Sequence, residues 1–293
     1  MPGRRTFAPA ARRRHVRSAF DRTVGREWRR HEGEPWRVLR RVLRERFLEA
    51  HLAARRGVVL ELGPGPGRFT PILAAGGRRS VLAIDLSRPV LESARRRLAR
   101  EAARRSVEWL QGAGELLPLR DASVGSAVAL GNIVSFAAHD GQLLLRELAR
   151  VSRPGATLVA DFATPVGAVQ EFFHVAARRR FLPRILRDPR YFLVDRVLDT
   201  GFQPYAPARL TRWEFRFYTL EEARRSLARA GFRVIDAMSV APVTRMDNAI
   251  AAVARRDPRT WDALLRTEEK VGRRPGVFES GDGFLVAATR IRR

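Results

Sequence analysis

Three glycines at alternate positions, Gly63, Gly65 and Gly67, separate two stretches of different character. Before them lies a short apolar run, Val58 to Leu60, ending in Glu61-Leu62. After them Phe69 to Ala75 reads as a helix, and a second apolar run, Val81 to Ile84, closes on Asp85. Glycines at a strand-to-helix turn permit positive φ and let a ligand approach the backbone. A carboxylate at the end of the next strand accepts hydrogen bonds from both hydroxyls of a ribose. Together they predict a site for a nucleoside-containing cofactor. A dinucleotide site needs Gly-x-Gly-x-x-Gly. Counted from Gly63, its third glycine falls on Arg68, and the glycine present is Gly67, one residue early. That spacing argues against NAD.

The pattern resembles the class I S-adenosylmethionine-dependent methyltransferases, in particular the methyltransferase type 11 or quinone-biosynthesis-like group. Their first motif, an apolar strand, an acid and Gly-x-Gly-x-Gly, is matched by Glu61 to Gly67; their second, an acid closing the next strand, by Asp85. Gln111 to Leu119 is similar to the loop that frames the adenine in that family, often Gly-Asp-Ala-Glu-x-Leu-Pro-Phe. Gly112, Glu115, Leu117 and Pro118 match it, whereas Ala113 stands where the family has the acid that accepts from the adenine amino group. The N–H of Gly114, or Gln111 as a replacement acceptor, would then meet the ring. Arg150 to Gly155 resembles the family's turn before strand five, and Tyr218 to Glu222 with Ala230 to Phe232 is typical of it too.

The resemblance covers residues 55–163 closely and 218–290 in outline. It implies S-adenosyl-L-methionine as cofactor and S-adenosyl-L-homocysteine as product. The implied binding residues are Glu61, Gly63, Pro64, Gly65, Gly67, Asp85, Leu86, Ala113, Gly114, Glu115, Leu130, Gly131 and Asn132, the last three against the methionine end. It implies methyl transfer by in-line displacement, in which the protein aligns a nucleophile with the methyl carbon. A base is needed only where the nucleophile must lose a proton. His174, Glu171, Glu214 and Tyr218 are the candidates, with Asp161 behind them; no catalytic residue is assigned.

Short buried strands alternating with helices predict an α/β protein with a parallel sheet. The resemblance implies a Rossmann-like, doubly wound, seven-stranded sheet, mostly parallel with an antiparallel last strand and helices on both faces. The strands fall at Val58–Leu62, Val81–Asp85, Val107–Leu110, Val124–Leu130, Thr157–Phe162, Phe232–Ala237 and Gly283–Thr289. Pro35 to Ala54 reads as a helix, because Trp36, Leu39, Val42, Leu43, Phe47 and Leu48 recur at three- and four-residue spacing. Arg37, Arg40, Arg41 and Arg44 fall on and around its other face, which is expected to be solvated; the sharper reading is a surface that tracks a nucleic-acid backbone. Helices are also expected at Arg88–Arg104, at Gly141–Val151 with Asp140 as N-cap, after Thr219 with a capping box to Glu222, and at about Arg259–Lys270.

Residues 1–34 are expected to form a basic N-terminal arm and cofactor-covering segment, mobile over Met1 to Phe20. They have neither the apolar core of a secretory signal nor, on the preferred reading, the role of a transit peptide. Phe20, Trp28 and Trp36 are candidates to lie over the cofactor, with core packing as the alternative for each. Residues 35–293 then form a single methyltransferase domain with a lid insertion at about 164–217. Its aromatics, Tyr191, Phe192, Phe202, Tyr205, Trp213, Phe215 and Phe217, with Tyr218 just beyond, suit a cover over a substrate pocket or a small core of the lid itself.

Composition sets the bounds. The 293 residues carry a net charge of +25, nearly all of it arginine, with Lys270 the one lysine. Such an excess favours polyanions and makes their binding salt-dependent. There is no cysteine, and the five histidines do not pair at ligand spacing, so no metal site is expected. No apolar run approaches a membrane span, and a cytoplasmic protein is the default. The function expected is methyl transfer to a small-molecule acceptor. The alternatives are a tRNA or rRNA methyltransferase using the arginine-rich surface, and a non-catalytic cofactor- or RNA-binding module.

Overall fold

The structure, a computed structural model, describes residues 9–25, 28, 33–52, 57–75, 79–99, 107–178, 180, 182–187, 194–203 and 214–291. Its strands are β1 (Gly57–Leu62), β2 (Arg79–Asp85), β3 (Val107–Gln111), β4 (Val124–Ala129), β5 (Ser152–Ala163), β6 (Phe202–Gln203), β7 (Phe215–Arg216), β8 (Phe232–Ser239) and β9 (Gly283–Arg290). The α-helices are α1 (Pro9–Asp21), α2 (Pro35–Leu52), α3 (Thr70–Ala74), α4 (Arg88–Leu98), α5 (Ile133–Phe136), α6 (Gly141–Val151), α7 (Pro165–Arg178), α8 (Leu182–Arg187), α9 (Val194–Thr200), α10 (Leu220–Ala230), α11 (Asn248–Ala254) and α12 (Pro258–Gly272).

Seven strands form one sheet in the order β3-β2-β1-β4-β5-β9-β8. The first five run parallel to one another, and β9 runs antiparallel to both β5 and β8. The expected seven-stranded, mostly parallel sheet is therefore present, with its last strand reversed. Alternation along each strand divides two cores. Leu60, Ala127, Leu158 and Val286 pack under α6 and α10, through Leu144, Leu148 and Leu227. Val59, Val128, Val159 and Leu285 pack under α2, α3 and α12, through Leu39, Leu43, Leu73 and Leu265. The capping box of α10 is made: Thr219 Oγ1 accepts the Glu222 N–H at 3.2 Å and Glu222 Oε2 accepts the Thr219 N–H at 3.0 Å.

Residues 164–217 hold α7, α8, α9 and the small β6–β7 ladder, in which Phe202 faces Arg216. Ala163, Ala176, Val197, Phe215 and Phe217 form a cluster of their own there, backed by Phe136, Phe172 and Leu182. Tyr191, Phe192, Tyr205 and Trp213 lie outside the described residues.

The amino-terminal stretch departs from expectation. Residues 9–21 are not a mobile arm but a helix docked on the domain. Arg12 is buried; its Nη1 donates to Asp140 Oδ2 at 2.5 Å and its Nε to Glu214 Oε2 at 2.6 Å. Asp140 consequently makes no side-chain cap for α6. Residues 1–8 lie outside the described residues.

Candidate functional site

The glycine turn and Asp85 meet at the carboxyl ends of β1 and β2, as parallel strands require. Gly63, at φ +66°, donates its N–H to the Ile84 carbonyl at 2.7 Å, and a Cβ there would collide with the side chain of Ile133. Gly65, at φ +54°, donates to Asp85 Oδ2 at 3.3 Å, while the Ser87 N–H reaches Oδ1 at 2.9 Å. Burial pushes the Asp85 carboxyl up to about 6; the N–H donors of Ser87, Gly65 and Leu86 oppose that shift, and Asp21 adds to it. Behind the turn, Glu61 is buried and its Oε2 accepts from Thr70 Oγ1 at 2.7 Å. Burial raises it to about 7, against the Thr70 bond and with a contribution from Asp85.

A cavity of about 590 Å³ opens over this turn, within the range of small-molecule sites. Gly63, Pro64, Gly65, Asp85, Leu86, Gly114, Glu115, Leu130, Gly131 and Asn132 line it. Glu61, Gly67 and Ala113 are not in its wall: Glu61 holds Thr70, and Gly67 sits against Ala94 and Leu98 of α4. Ala113 is bridged to Leu116, so the acid of this loop that reaches the cavity is Glu115. Burial raises the Glu115 carboxyl, with Arg13 and Arg12 opposing. Gln111 is exposed and its amide donates to the Leu86 carbonyl at 3.1 Å, away from any role as replacement acceptor. The loop is fixed from below: the Gly112 N–H donates to the Asp85 carbonyl at 3.0 Å, the Leu117 N–H to Glu147 Oε2 at 2.9 Å, and Arg150 Nη2 to the Leu117 carbonyl at 2.9 Å.

After β4, Asn132 takes a left-handed conformation at φ 62°, which asparagine tolerates better than most residues. Its N–H donates to Asp161 Oδ1 at 2.6 Å, and Asp161 Oδ2 accepts from Arg44 Nε at 3.1 Å. Asp161 is 1% exposed, so it serves as a clamp on the Gly131-Asn132 turn rather than as a base in the cavity. The Gly-Asn pair closing a strand was the sequence signal for this turn; neither Asp161 nor Arg44 carried one.

Beyond Asn132 the cavity is walled by Phe20, Phe136, Phe172, Phe215 and Phe217. Of the four base candidates, Glu171 lines it. Glu214 is engaged by Arg12, and Tyr218 is buried on Phe162 with its hydroxyl pushed up to about 12 by burial. His174 is half-buried on α7 outside the cavity wall, its Nε2 without a hydrogen-bond partner among the described residues. Phe20 does lie over the site, in edge contact with Phe136 at 5.5 Å. Trp28 instead sits between the guanidinium groups of Arg68 and Arg97, and Trp36 is buried beside Met246 and Ala251.

The arginine stripe of α2 corrects a second expectation. Arg37, Arg40, Arg41 and Arg44 all line the cavity and none is fully exposed. The stripe lines the cavity and is not the wholly solvated face expected. Arg12, Arg13 and Val16 of α1 also line the cavity.

Residues 60–160 match the family model of the methyltransferase domain. The demethylmenaquinone methyltransferase of Corynebacterium efficiens is 36% identical over 156 residues, 52% of this chain and 60% of that protein. The ubiquinone/menaquinone biosynthesis C-methyltransferase UbiE of Rubrivivax gelatinosus is 28% identical over 138 residues, 47% of this chain and 52% of that protein. The chain thus spans little more than half the length of these curated relatives. Among solved structures, the 1,6-didemethyltoxoflavin-N1-methyltransferase of Burkholderia thailandensis superposes with a TM-score of 0.60 at 18% identity, covering 99% of this chain and 93% of that one. This likeness is one of fold.

Proposed function

We propose that this chain, which carries a class I S-adenosylmethionine-dependent methyltransferase domain, transfers a methyl group to a small molecule held under α1 and the 164–217 insertion. The observation that carries the reading is Asp85 at the cavity wall beside the glycine turn. Two backbone N–H groups orient its carboxylate, and a carboxylate with about four lone-pair sites keeps capacity for the two ribose hydroxyls. Gly112 to Glu115 would flank the adenine, with Glu115 the acid available to its amino group. Gly131 and Asn132 would flank the methionine end. When bound, S-adenosylmethionine supplies a methyl group on a sulfonium, open to in-line attack.

The chain's own part is to align and to dry. The phenylalanine wall fixes the acceptor and excludes water, and alignment of this kind contributes about 7–11 kcal/mol in favourable cases. Glu171, on the same wall, takes the proton of an acceptor hydroxyl or amine onto its carboxylate. Demethylmenaquinone methyltransferases among the relatives favour a small acceptor. With the α2 arginines lining the cavity, the alternative of an RNA substrate rests on the net charge and the basic amino-terminal segment.

Calorimetric titration with S-adenosylhomocysteine tests the assignment. The protein is expected to bind it, and Asp85→Ala to weaken binding by about 1.5–3 kcal/mol, the range of a hydrogen bond to a charged group. No binding, or equal binding by the variant, would remove the cofactor from this site.

A further inference from the structure

The inner arginine wall bears on what the acceptor is. An amphipathic helix ordinarily gives its charged stripe to water. Here the apolar stripe of α2 is in the core and the charged stripe is in the cavity. Arg44 is used by the fold, with Nε on Asp161 and Nη1 on the Arg40 carbonyl. Arg37 and Arg41, one turn apart, have local carboxylate partners on the same segment: Glu34 at 2.6 Å for Arg37, and Glu45 for Arg41. These carboxylates hold the guanidinium groups in place. A guanidinium carries five donors in a planar fork, and one carboxylate takes two of them at most. The Arg37 guanidinium is further fixed over the Trp36 ring at 4.4 Å. Arg40 lies between the two in sequence and pairs with Asp282, also in the cavity wall. Positioned cationic donors therefore share one chamber with Phe136, Phe172, Phe215 and Phe217.

We infer that the acceptor is an amphiphilic anion: an apolar body against the phenylalanines, and a carboxylate or phosphate received by Arg37 and Arg41. The inference rests on the methyltransferase reading and narrows it. A neutral acceptor would desolvate the arginine wall without giving it an acceptor, a cost that a carboxylate or phosphate removes by accepting from the guanidinium groups. The same wall then discriminates against the uncharged analogue of its own substrate, since sites built around polar groups reject ligands that leave them unmatched.

The test uses matched probes on the full chain: 1-naphthyl phosphate, 1-naphthoate and neutral 1-naphthol, titrated with and without saturating S-adenosylhomocysteine in 150 mM salt. At least one of the two anions is expected to bind tenfold or more tightly than naphthol; which one tells phosphate from carboxylate. The double variant Arg37→Gln/Arg41→Gln is expected to abolish that preference and to keep S-adenosylhomocysteine affinity within twofold. Arg233→Gln, which removes an exposed arginine on β8, is expected to keep the preference, separating the wall from the general charge. Should the glutamine variant unfold, Arg37→Lys/Arg41→Lys keeps the charge, loses the fork, and is expected to reduce the preference at least threefold. Equal binding of naphthol and both anions, or a preference that survives the Arg37/Arg41 variants, overturns the inference. So does a parallel fall in S-adenosylhomocysteine affinity, which would assign these arginines to the carboxylate of the cofactor. Failure of S-adenosylhomocysteine to bind at all is a separate result: it strikes the methyltransferase reading, while the probe series without it still reports on the wall.

Discussion

Two carboxylates, Asp85 beside the glycine turn and Glu61 behind it, make the site sensitive to pH in an unusual direction. Asp85 and Glu61 both titrate above their ordinary values because burial disfavours their charged forms, Asp85 to about 6 and Glu61 to about 7. A raised carboxyl pKa means the ligand-free fold is favoured by the protonated forms. The two groups therefore lower its stability as pH rises from about 4 to about 7, the reverse of the usual salt-bridged carboxylate. A cofactor whose ribose donates to Asp85 favours the charged form, so binding should release protons in this window. Affinity for S-adenosylhomocysteine is expected to rise about tenfold between pH 5 and pH 7.5, one factor of ten per unit below the Asp85 pKa. Calorimetry in two buffers of different ionisation enthalpy would count the protons released, and Asp85→Asn should flatten the profile. A flat profile in the native protein would mean that Asp85 does not meet the ribose. Asp85 was legible in the sequence because the strand, the turn and the acid lie within thirty residues. Asp161 was not: its partners are Asn132 and Arg44, and no local pattern joins them.

At the scale of elements, a helical wheel shows which residues share a face but not what that face meets. Arg37, Arg40, Arg41 and Arg44 were correctly grouped and wrongly placed, because the sequence contains no sign that their face meets a cavity. Another part of that cavity wall is α1, and its attachment is equally non-local: Arg12 finds Asp140 and Glu214, both far along the chain. Composition alone made residues 1–20 look like a free basic tail. With the helix docked, removal of residues 1–21 takes Arg13, Val16 and Phe20 from the cavity wall and the buried cation from between two acids. The expected result is a tenfold or greater loss of S-adenosylhomocysteine affinity, measured by calorimetry on the truncated chain after circular dichroism shows it folded. Unchanged affinity would return α1 to the status of a tail. Both readings of the lid aromatics were legible: Phe215 and Phe217 belong to a small core, and both also line the cavity.

The whole molecule was the most legible level, since the seven strands show as apolar runs between helices and the resemblance implied the reversed last strand, while the strand order came from the structure. Its charge is the part that sequence overstates. Many arginines are spent internally, on Asp140, Glu214, Asp161 and Asp282 among others. The remainder still makes the surface basic. Nonspecific RNA is expected to bind with an affinity that falls at least a hundredfold between 50 and 200 mM salt, as counterion release dictates. It is not expected to shift S-adenosylhomocysteine affinity, because the cavity arginines face inward; competition between the two in an anisotropy assay would show RNA reaching the site. The placement of β9 has a consequence for how the molecule comes into being. Thr157 on β5 pairs with Thr289, and β8 joins the sheet only through β9. On a ribosome, β5 emerges with one edge unmatched and keeps it so until residues 283–290 arrive, more than a hundred residues later. A strand left open for that long is a template for the wrong partner. The last strand to be made is therefore the keystone of the sheet, and a nascent chain halted before it would carry an open β5 edge into the cell.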